Sequence, residues 1–107
     1  MRGDLVTIAL QGDFGKPRPA LIIQSDLFDN HSSVTVLPVT STIVEAPLLR
    51  ISLIPDKKNG LKTISQIMID KATTVKPDKV GAAFGRISSE QMIQVERCLA
   101  VFLGIAK

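Results

Sequence analysis

VTVLPVT, at residues 34–40, is a run of β-branched and apolar side chains that predicts a β-strand. Pro38 has no backbone N–H and cannot complete a hydrogen-bonded ladder, so we expect an edge or a bulge there and an irregular end to the strand. The polar residues 40–42, TST, then follow. This strand is the third in a series of short strands that together predict the architecture.

Short apolar segments flank this strand on both sides. Most are rich in β-branched residues or alternate apolar with polar side chains, and turn-forming residues separate them. They lie at residues 5–10, 20–24, 48–53, 63–69, 73–75 and 80–84, with a polar loop at 11–17 between the first two. Many short strands at close spacing predict a small antiparallel β-barrel.

The C-terminal segment has the pattern of one amphipathic helix. Ser88 and Gln91 have the spacing of a capping box, in which each side chain satisfies a free backbone N–H of the other. Residues on one face of a helix over residues 89–103 are apolar, namely Met92, Val95, Leu99 and Phe102. Gly104 suits a left-handed C-terminal cap. The fold class predicted is therefore α+β, a small barrel with a C-terminal helix packed on it.

Length and composition limit the kinds of protein that this chain can be. A chain of 107 residues fits one domain, residues 1–107, which needs no disulfide framework for its core. Its longest apolar run is too short to span a bilayer, and its first residues lack the features of a signal peptide. The lone Cys98 cannot form an internal disulfide and suits a reducing compartment. We therefore expect a cytoplasmic protein without a membrane segment.

Charge and motif content exclude several kinds of site. Lys and Arg total 13 against 10 for Asp and Glu, and the resulting net charge of +3 permits a polyanionic partner without requiring one. One histidine, His31, and one cysteine cannot make a usual zinc site, and glycine-rich nucleotide-binding motifs are absent from the sequence. We expect no metal and no cofactor.

The segment GDFGKPRP, at residues 12–19, has the most unusual composition in the chain. Glycines let backbone amides approach a ligand, prolines stiffen the chain, and Lys16 and Arg18 add positive charge. Two interpretations fit these residues. The segment either holds a phosphate or forms a tight hairpin whose cations are merely solvated.

Five motifs occur in order along almost the whole chain: RGD at 2–4, GKPRPALIIQSD at 15–26, VTVLPVTST at 34–42, SQIMIDKATTV at 65–75 and LGI at 103–105. Together they resemble the MazF/PemK/Kid family of toxin endoribonucleases. The resemblance implies a small SH3-like β-barrel that usually forms a homodimer. It also implies metal-independent cleavage of single-stranded RNA at short sequences, through attack of a ribose 2′-hydroxyl on the adjacent phosphate, and neutralisation by an acidic antitoxin.

The resemblance also implies roles for particular residues. Arg18 matches the family's catalytic arginine and is expected to stabilise charge on the phosphate, with Thr40 as a hydroxyl donor to the same group. Asp13 and Asp70 are alternative general bases, provided that burial raises the pKa of the carboxylate. Met68 stands where some relatives have an arginine. The expected RNA contacts are Lys16, Gln24, Ser25, Thr42, Ser65 and Gln66.

Two other functions are compatible with the same fold. A barrel of the CcdB type would poison DNA gyrase by binding, but those toxins use a C-terminal Trp-Gly-Ile, and this chain has no tryptophan. A non-catalytic barrel would bind RNA or a peptide without cutting it. The sequence alone does not exclude the second of these, because it identifies no general base.

Overall fold

The computed structural model describes residues 1–10 and 16–106. Seven strands and one α-helix lie in this part of the chain: β1 (Asp4–Ala9), β2 (Pro17–Ile22), β3 (Val34–Thr40), β4 (Arg50–Leu53), β5 (Ser65–Met68), β6 (Thr73–Val75), β7 (Val80–Arg86) and α1 (Ser89–Phe102). Three short 3-10 turns lie at Asp26–Phe28, Ile69–Lys71 and Pro77–Lys79. The predicted α+β fold with a C-terminal helix is confirmed.

The strands form one antiparallel sheet in the order β4-β5-β3-β2-β1-β7, and β6 pairs with the first half of β3. β3 is therefore a central strand, and the expected edge position of Pro38 is wrong. One side of β3 pairs with β2 from Val36 to Pro38, whereas the other side pairs with β6 up to Val36 and with β5 from Val39. Pro38 lies at this change of partner, and β3 stays regular to Thr40.

The barrel predicted from strand spacing is only partly closed. Among the described residues, the two end strands β4 and β7 do not pair with each other. The turn after β4 bridges them instead, because the backbone N–H of Arg86 donates to the carbonyl of Lys58 at 2.8 Å. Gly85 allows this approach, since a Cβ at that position would overlap the backbone of Asn59.

Alternation along the strands divides the core into two layers. Leu5, Leu21 and Leu37 pack with α1 in one cluster, while Val6 and Val36 belong to a second cluster on the opposite face of the sheet. Burying these side chains supplies the main driving force for folding. The sheet is consequently covered on one face by the helix, and its arrangement determines which strand ends meet.

The helix begins and ends as its sequence predicts. The Ser88 and Gln91 side chains form the capping box, and Gly104 adopts a φ of 76° in a left-handed cap. Val95 is fully buried, but Phe102 is 48% exposed, so its predicted place on the buried face is wrong. Phe102 is the last helical residue, and it lies beyond Val95 and Leu99, with which the helix packs on the core cluster. Within the described ranges, no helix is long and apolar enough to cross a membrane.

Strand β2 differs most from its predicted boundaries. It begins at Pro17 and ends at Ile22, whereas the sequence predicts a strand over residues 20–24. Arg18 consequently lies within a strand, opposite Ile8 of β1, rather than in the preceding loop. The predicted start of β2 was too late because its first residues are prolines and an arginine, of which the first two are exposed.

Candidate active site

The polar ends of several strands line one open groove. Its volume is about 790 Å³. Residues from β1, β2, β3, β5 and β7 and from the turns after β3 and β4 line it, including Thr7, Arg18, Thr40, Ser41, Thr42, Leu61, Lys62, Thr63, Ser65, Met68 and Phe84. Strand order explains the site, since β3 lies between β2 and β5 and brings their ends together.

Arg18 supplies the guanidinium group on one wall of this groove. The residue is exposed and lies between Pro17 and Pro19, which pair with Ala9 and Thr7 of β1. Proline fixes φ on both sides of the arginine, so the backbone that carries the guanidinium loses little conformational freedom when a ligand binds. A planar guanidinium can donate two parallel hydrogen bonds to one phosphate.

Thr40 ends β3 and begins the turn along the same groove. Its Oγ1 accepts a hydrogen bond from the backbone N–H of Thr42 at 3.1 Å. Because a hydroxyl group both donates and accepts, this bond leaves the hydroxyl proton available to a ligand. The expected turn-capping role and the expected substrate-donor role of Thr40 are therefore compatible.

A third wall comes from the turn between β4 and β5, which the sequence analysis did not single out. Asn59 is only 1% exposed, and its side chain accepts from the N–H groups of Asp56 and Leu61 and donates to the carbonyl of Ile54. These bonds hold the turn so that Leu61, Lys62 and Thr63 line the groove. The Asn-Gly pair at residues 59–60 could have indicated this turn from the sequence, because glycine favours the positive φ of 66° that Gly60 adopts.

The described lining of the groove is positive and rich in hydroxyl groups. Arg18 and Lys62 are the charged residues among the described lining residues, and none of those residues is acidic. Phe84 is 38% exposed and adds an aromatic surface. Such a lining favours an anionic ligand that also carries apolar rings.

Asp70 lies elsewhere, in the 3-10 turn after β5. Its carboxylate forms a short ion pair with Arg50 and lies 3.6 Å from the Lys71 ammonium. The hydrogen bond from Arg50, with the nearby positive charges, lowers the pKa of Asp70 below its ordinary value of 3.8. The expectation that burial raises the pKa is therefore wrong for Asp70, and this residue is not among those lining the groove.

Comparisons with known proteins identify the family of this chain. Residues 1–103 match the family described as PemK-like, MazF-like toxin of type II toxin-antitoxin system. The chain belongs to the PemK/MazF toxin family. It is 50% identical over 106 residues to a probable endoribonuclease MazF of Mycolicibacterium smegmatis, covering 98% of this chain and 97% of that relative.

Solved structures confirm the PemK/MazF fold. The toxin MazF-mt6 of Mycobacterium tuberculosis superposes with a TM-score of 0.82 at 21% identity, covering 97% of this chain and 99% of that one. An endoribonuclease in complex with its cognate antitoxin, from a mycobacterial species, superposes with a TM-score of 0.82 at 20% identity, covering 100% and 97% of the two chains. At such identities these matches establish the fold alone.

Three expected RNA contacts of this PemK/MazF chain hydrogen-bond within the protein. The Gln24 side chain donates to the carbonyls of Phe28 and Ser33 and accepts from Thr35, and Ser25 caps the 3-10 turn at Asp26–Phe28. Gln66 is 4% exposed and exchanges two hydrogen bonds with the backbone of Val44. None of the three is among the groove-lining residues.

The remaining predicted residues are placed as follows. Thr42 and Ser65 line the groove, although Ser65 is 4% exposed and its hydroxyl donates to the carbonyl of Thr63. Lys16 is exposed just before β2 and is not among the described lining residues. Asp13 lies outside the described residues. Within the described part of the chain, no group of three or more His, Cys, Asp or Glu residues is placed to hold a metal ion.

The contribution of the Arg50–Asp70 ion pair to the free energy of unfolding should depend on pH only under acidic conditions. Because the pKa of Asp70 is lower in the folded state, its contribution is complete above the ordinary pKa of 3.8 and is lost as pH falls through the lowered value. Asp70→Asn should therefore unfold at lower urea than the wild type at neutral pH, with a difference that shrinks below about pH 4.

The matched control for this measurement is Asp78→Asn, which alters an exposed carboxylate that has no ion pair among the described residues. Urea unfolding at several pH values should give the same midpoint for this variant and the wild type near neutrality. A difference between Asp70→Asn and the wild type that stays constant down to about pH 2 would contradict the predicted linkage.

Proposed function

We propose that this chain is a metal-independent endoribonuclease that cleaves single-stranded RNA at a short sequence. The observation that carries the proposal is the meeting of Arg18 and Thr40 in one open groove without a described acidic lining residue. The 50% identical relative named as a probable endoribonuclease supports it further. Gyrase poisoning has no comparable support, since the chain lacks the tryptophan which that activity uses.

The proposed reaction is an internal transesterification of RNA. The ribose 2′-oxygen attacks the adjacent phosphorus and loses its proton to a base, while the bond from phosphorus to the 5′-oxygen breaks and that oxygen gains a proton. The products are a 2′,3′-cyclic phosphate and a free 5′-hydroxyl. Negative charge on the non-bridging oxygens rises in the transition state, so a fixed cation there lowers the barrier.

Arg18 is the residue proposed to stabilise that charge. Its guanidinium lines the groove and has the planar geometry to bind both non-bridging oxygens. Arginine does not deprotonate in proteins, so we assign it electrostatic stabilisation rather than proton transfer. Thr40 donates its hydroxyl proton to the same phosphate in this proposal.

The general base is proposed to be Asp13. It precedes Arg18 by five residues in the sequence. Asp70 is the poorer candidate, since its lowered pKa makes it a weak base and Arg50 occupies its carboxylate.

The Thr40 hydroxyl provides a test of the proposed site. Thr40→Val removes the donor and is expected to lower kcat/KM by about 100-fold, the lower end of the effect of losing one donor to a developing oxyanion. Thr40→Ser keeps both hydroxyl functions and should retain most of the activity. Equal losses in the two variants, measured on one RNA oligonucleotide, would contradict the donor role.

The proposed partners are an acidic antitoxin and a second copy of this chain, in the cytoplasm. The structural neighbour solved with its cognate antitoxin supports the first, and the positive groove suits an acidic segment. Exposed apolar side chains support a homodimer, because a single small domain does not normally leave so many large ones uncovered. They include Phe84, Val101, Phe102, Leu103 and Ile105. We propose that residues 1–107 form one toxin domain.

Mapping RNA ends tests the proposed activity directly. The purified protein is incubated in EDTA with a long single-stranded RNA, and the new 5′ ends are sequenced. We expect recurrent cuts at one short sequence with 5′-hydroxyl ends. Intact RNA from the folded, antitoxin-free protein would contradict the proposal, and binding without new ends would identify a non-catalytic RNA-binding barrel.

A further inference from the structure

Lys62 carries a second positive charge to the groove that contains Arg18. It is exposed on the turn between β4 and β5 and lines the groove together with Leu61 and Thr63. Its ammonium has no ion pair with any described residue. The groove is therefore lined by two cations, Arg18 from β2 and Lys62 from the turn between β4 and β5.

The backbone that carries Lys62 is fixed by neighbouring residues. The buried Asn59 amide bonds to three backbone groups of the turn, and Lys58 accepts from the N–H of Arg86. Gly60 lies so close to β7 that a Cβ there would be 2.5 Å from the Phe84 carbonyl oxygen. Because the turn is held at both β4 and β7, binding a ligand requires ordering of the lysine side chain but little of its backbone.

An RNA strand presents a series of phosphates, and one cation binds only one of them. If Arg18 binds the reacting phosphate, the strand must continue along the groove, where the described lining has no carboxylate to repel it. We propose that Lys62 binds a second, non-reacting phosphate of the RNA strand and so contributes affinity rather than chemistry. This inference rests on the proposed endoribonuclease function.

The first test compares two lysines of the same turn. Lys62→Gln removes the groove cation, while Lys57→Gln removes an exposed lysine that does not line the groove. Cleavage of an oligonucleotide containing the mapped site should show KM raised about tenfold for Lys62→Gln with kcat within about twofold, and no change for Lys57→Gln. The slope of log(kcat/KM) against log[salt] should become shallower by about 0.7, the value for one phosphate on single-stranded RNA.

The second test locates the phosphate. A series of oligonucleotides carries one uncharged methylphosphonate at each non-reacting position in turn. At one position the substitution should weaken the wild type and Lys57→Gln about tenfold but leave Lys62→Gln unchanged, because the partner charge is already absent. That position identifies the phosphate which Lys62 binds.

The outcomes separate this inference from the proposed activity. If the wild type cuts no RNA, the proposed function fails. If the wild type cuts RNA and Lys62→Gln matches it in KM, salt slope and every methylphosphonate position, only the role of Lys62 is overturned. The role is also overturned if Lys62→Gln changes capture of a poly-glutamate peptide while its RNA kinetics stay unchanged, since the lysine would then serve an acidic protein partner.

Discussion

Arg18→Ala is expected to lower the rate of RNA cleavage by about a thousandfold, at the upper end of the effect of removing one donor to a developing oxyanion. The guanidinium lines the groove, and a methyl group in its place can neither reach nor charge-stabilise the phosphate. Single-turnover cleavage of an oligonucleotide containing the mapped site measures this loss. The change should appear in kcat and in kcat/KM alike, because the interaction strengthens in the transition state.

Arg18→Lys is the matched variant for this prediction. It keeps the charge but loses the planar donor pair, and we expect it to recover only a small part of the activity. Unfolding of all three proteins in urea must accompany the kinetics. Because Arg18 is exposed, their free energies of unfolding should differ by less than about 0.5 kcal/mol. A folded Arg18→Ala variant that cleaves at the wild-type rate would overturn the assignment of the active site.

Gly85→Ala is expected to cost about 3 kcal/mol of stability and to impair the groove as well. A Cβ on Gly85 would overlap the backbone carbonyl group of Asn59, which cannot rotate away as a side chain can. The turn after β4 would have to separate from β7, breaking the bond from Arg86 to Lys58 and displacing the wall that carries Lys62. Both the unfolding midpoint and the KM for RNA should therefore change.

Gly81→Ala on the same strand is the control. Its Cβ would meet the Oγ1 of Thr7, the end of a side chain that can adopt another rotamer. We expect less than about 1 kcal/mol of destabilisation there. If the two alanine variants unfold at the same urea concentration, contact between the turn and β7 does not hold the sheet ends together.

Local patterns were sufficient for most of the elements. The capping box at Ser88 and Gln91 and the glycine cap at Gly104 depend on interactions within a few residues, so they appear directly in the sequence. The third strand was predicted with its observed boundaries, Val34–Thr40, since a run of β-branched apolar residues strongly favours a strand. The order of motifs around Arg18 and Thr40 predicted the family, which the match over residues 1–103 confirms.

Residues whose polar atoms have long-range partners were not predictable in the same way. Gln66 and Asp70 resemble surface residues in sequence, yet their partners Val44 and Arg50 lie 22 and 20 positions away. Pro38 was expected at an edge because the sequence does not show that β3 changes partner beside it. Such contacts depend on strand order, and local composition carries no information about that order.

The sequence by itself determined the α+β fold class, the helix with its caps and the family. It also identified Arg18 and Thr40 as candidate catalytic residues. Only the tertiary structure decided which polar residues share a groove, that Asp70 forms an ion pair with Arg50, and that Lys62 lines the same groove as Arg18. The physical reason is that helix caps and strand propensity arise from neighbouring residues, whereas a groove arises where β2, β3, β5 and β7 converge. That convergence is set by packing of the whole sheet.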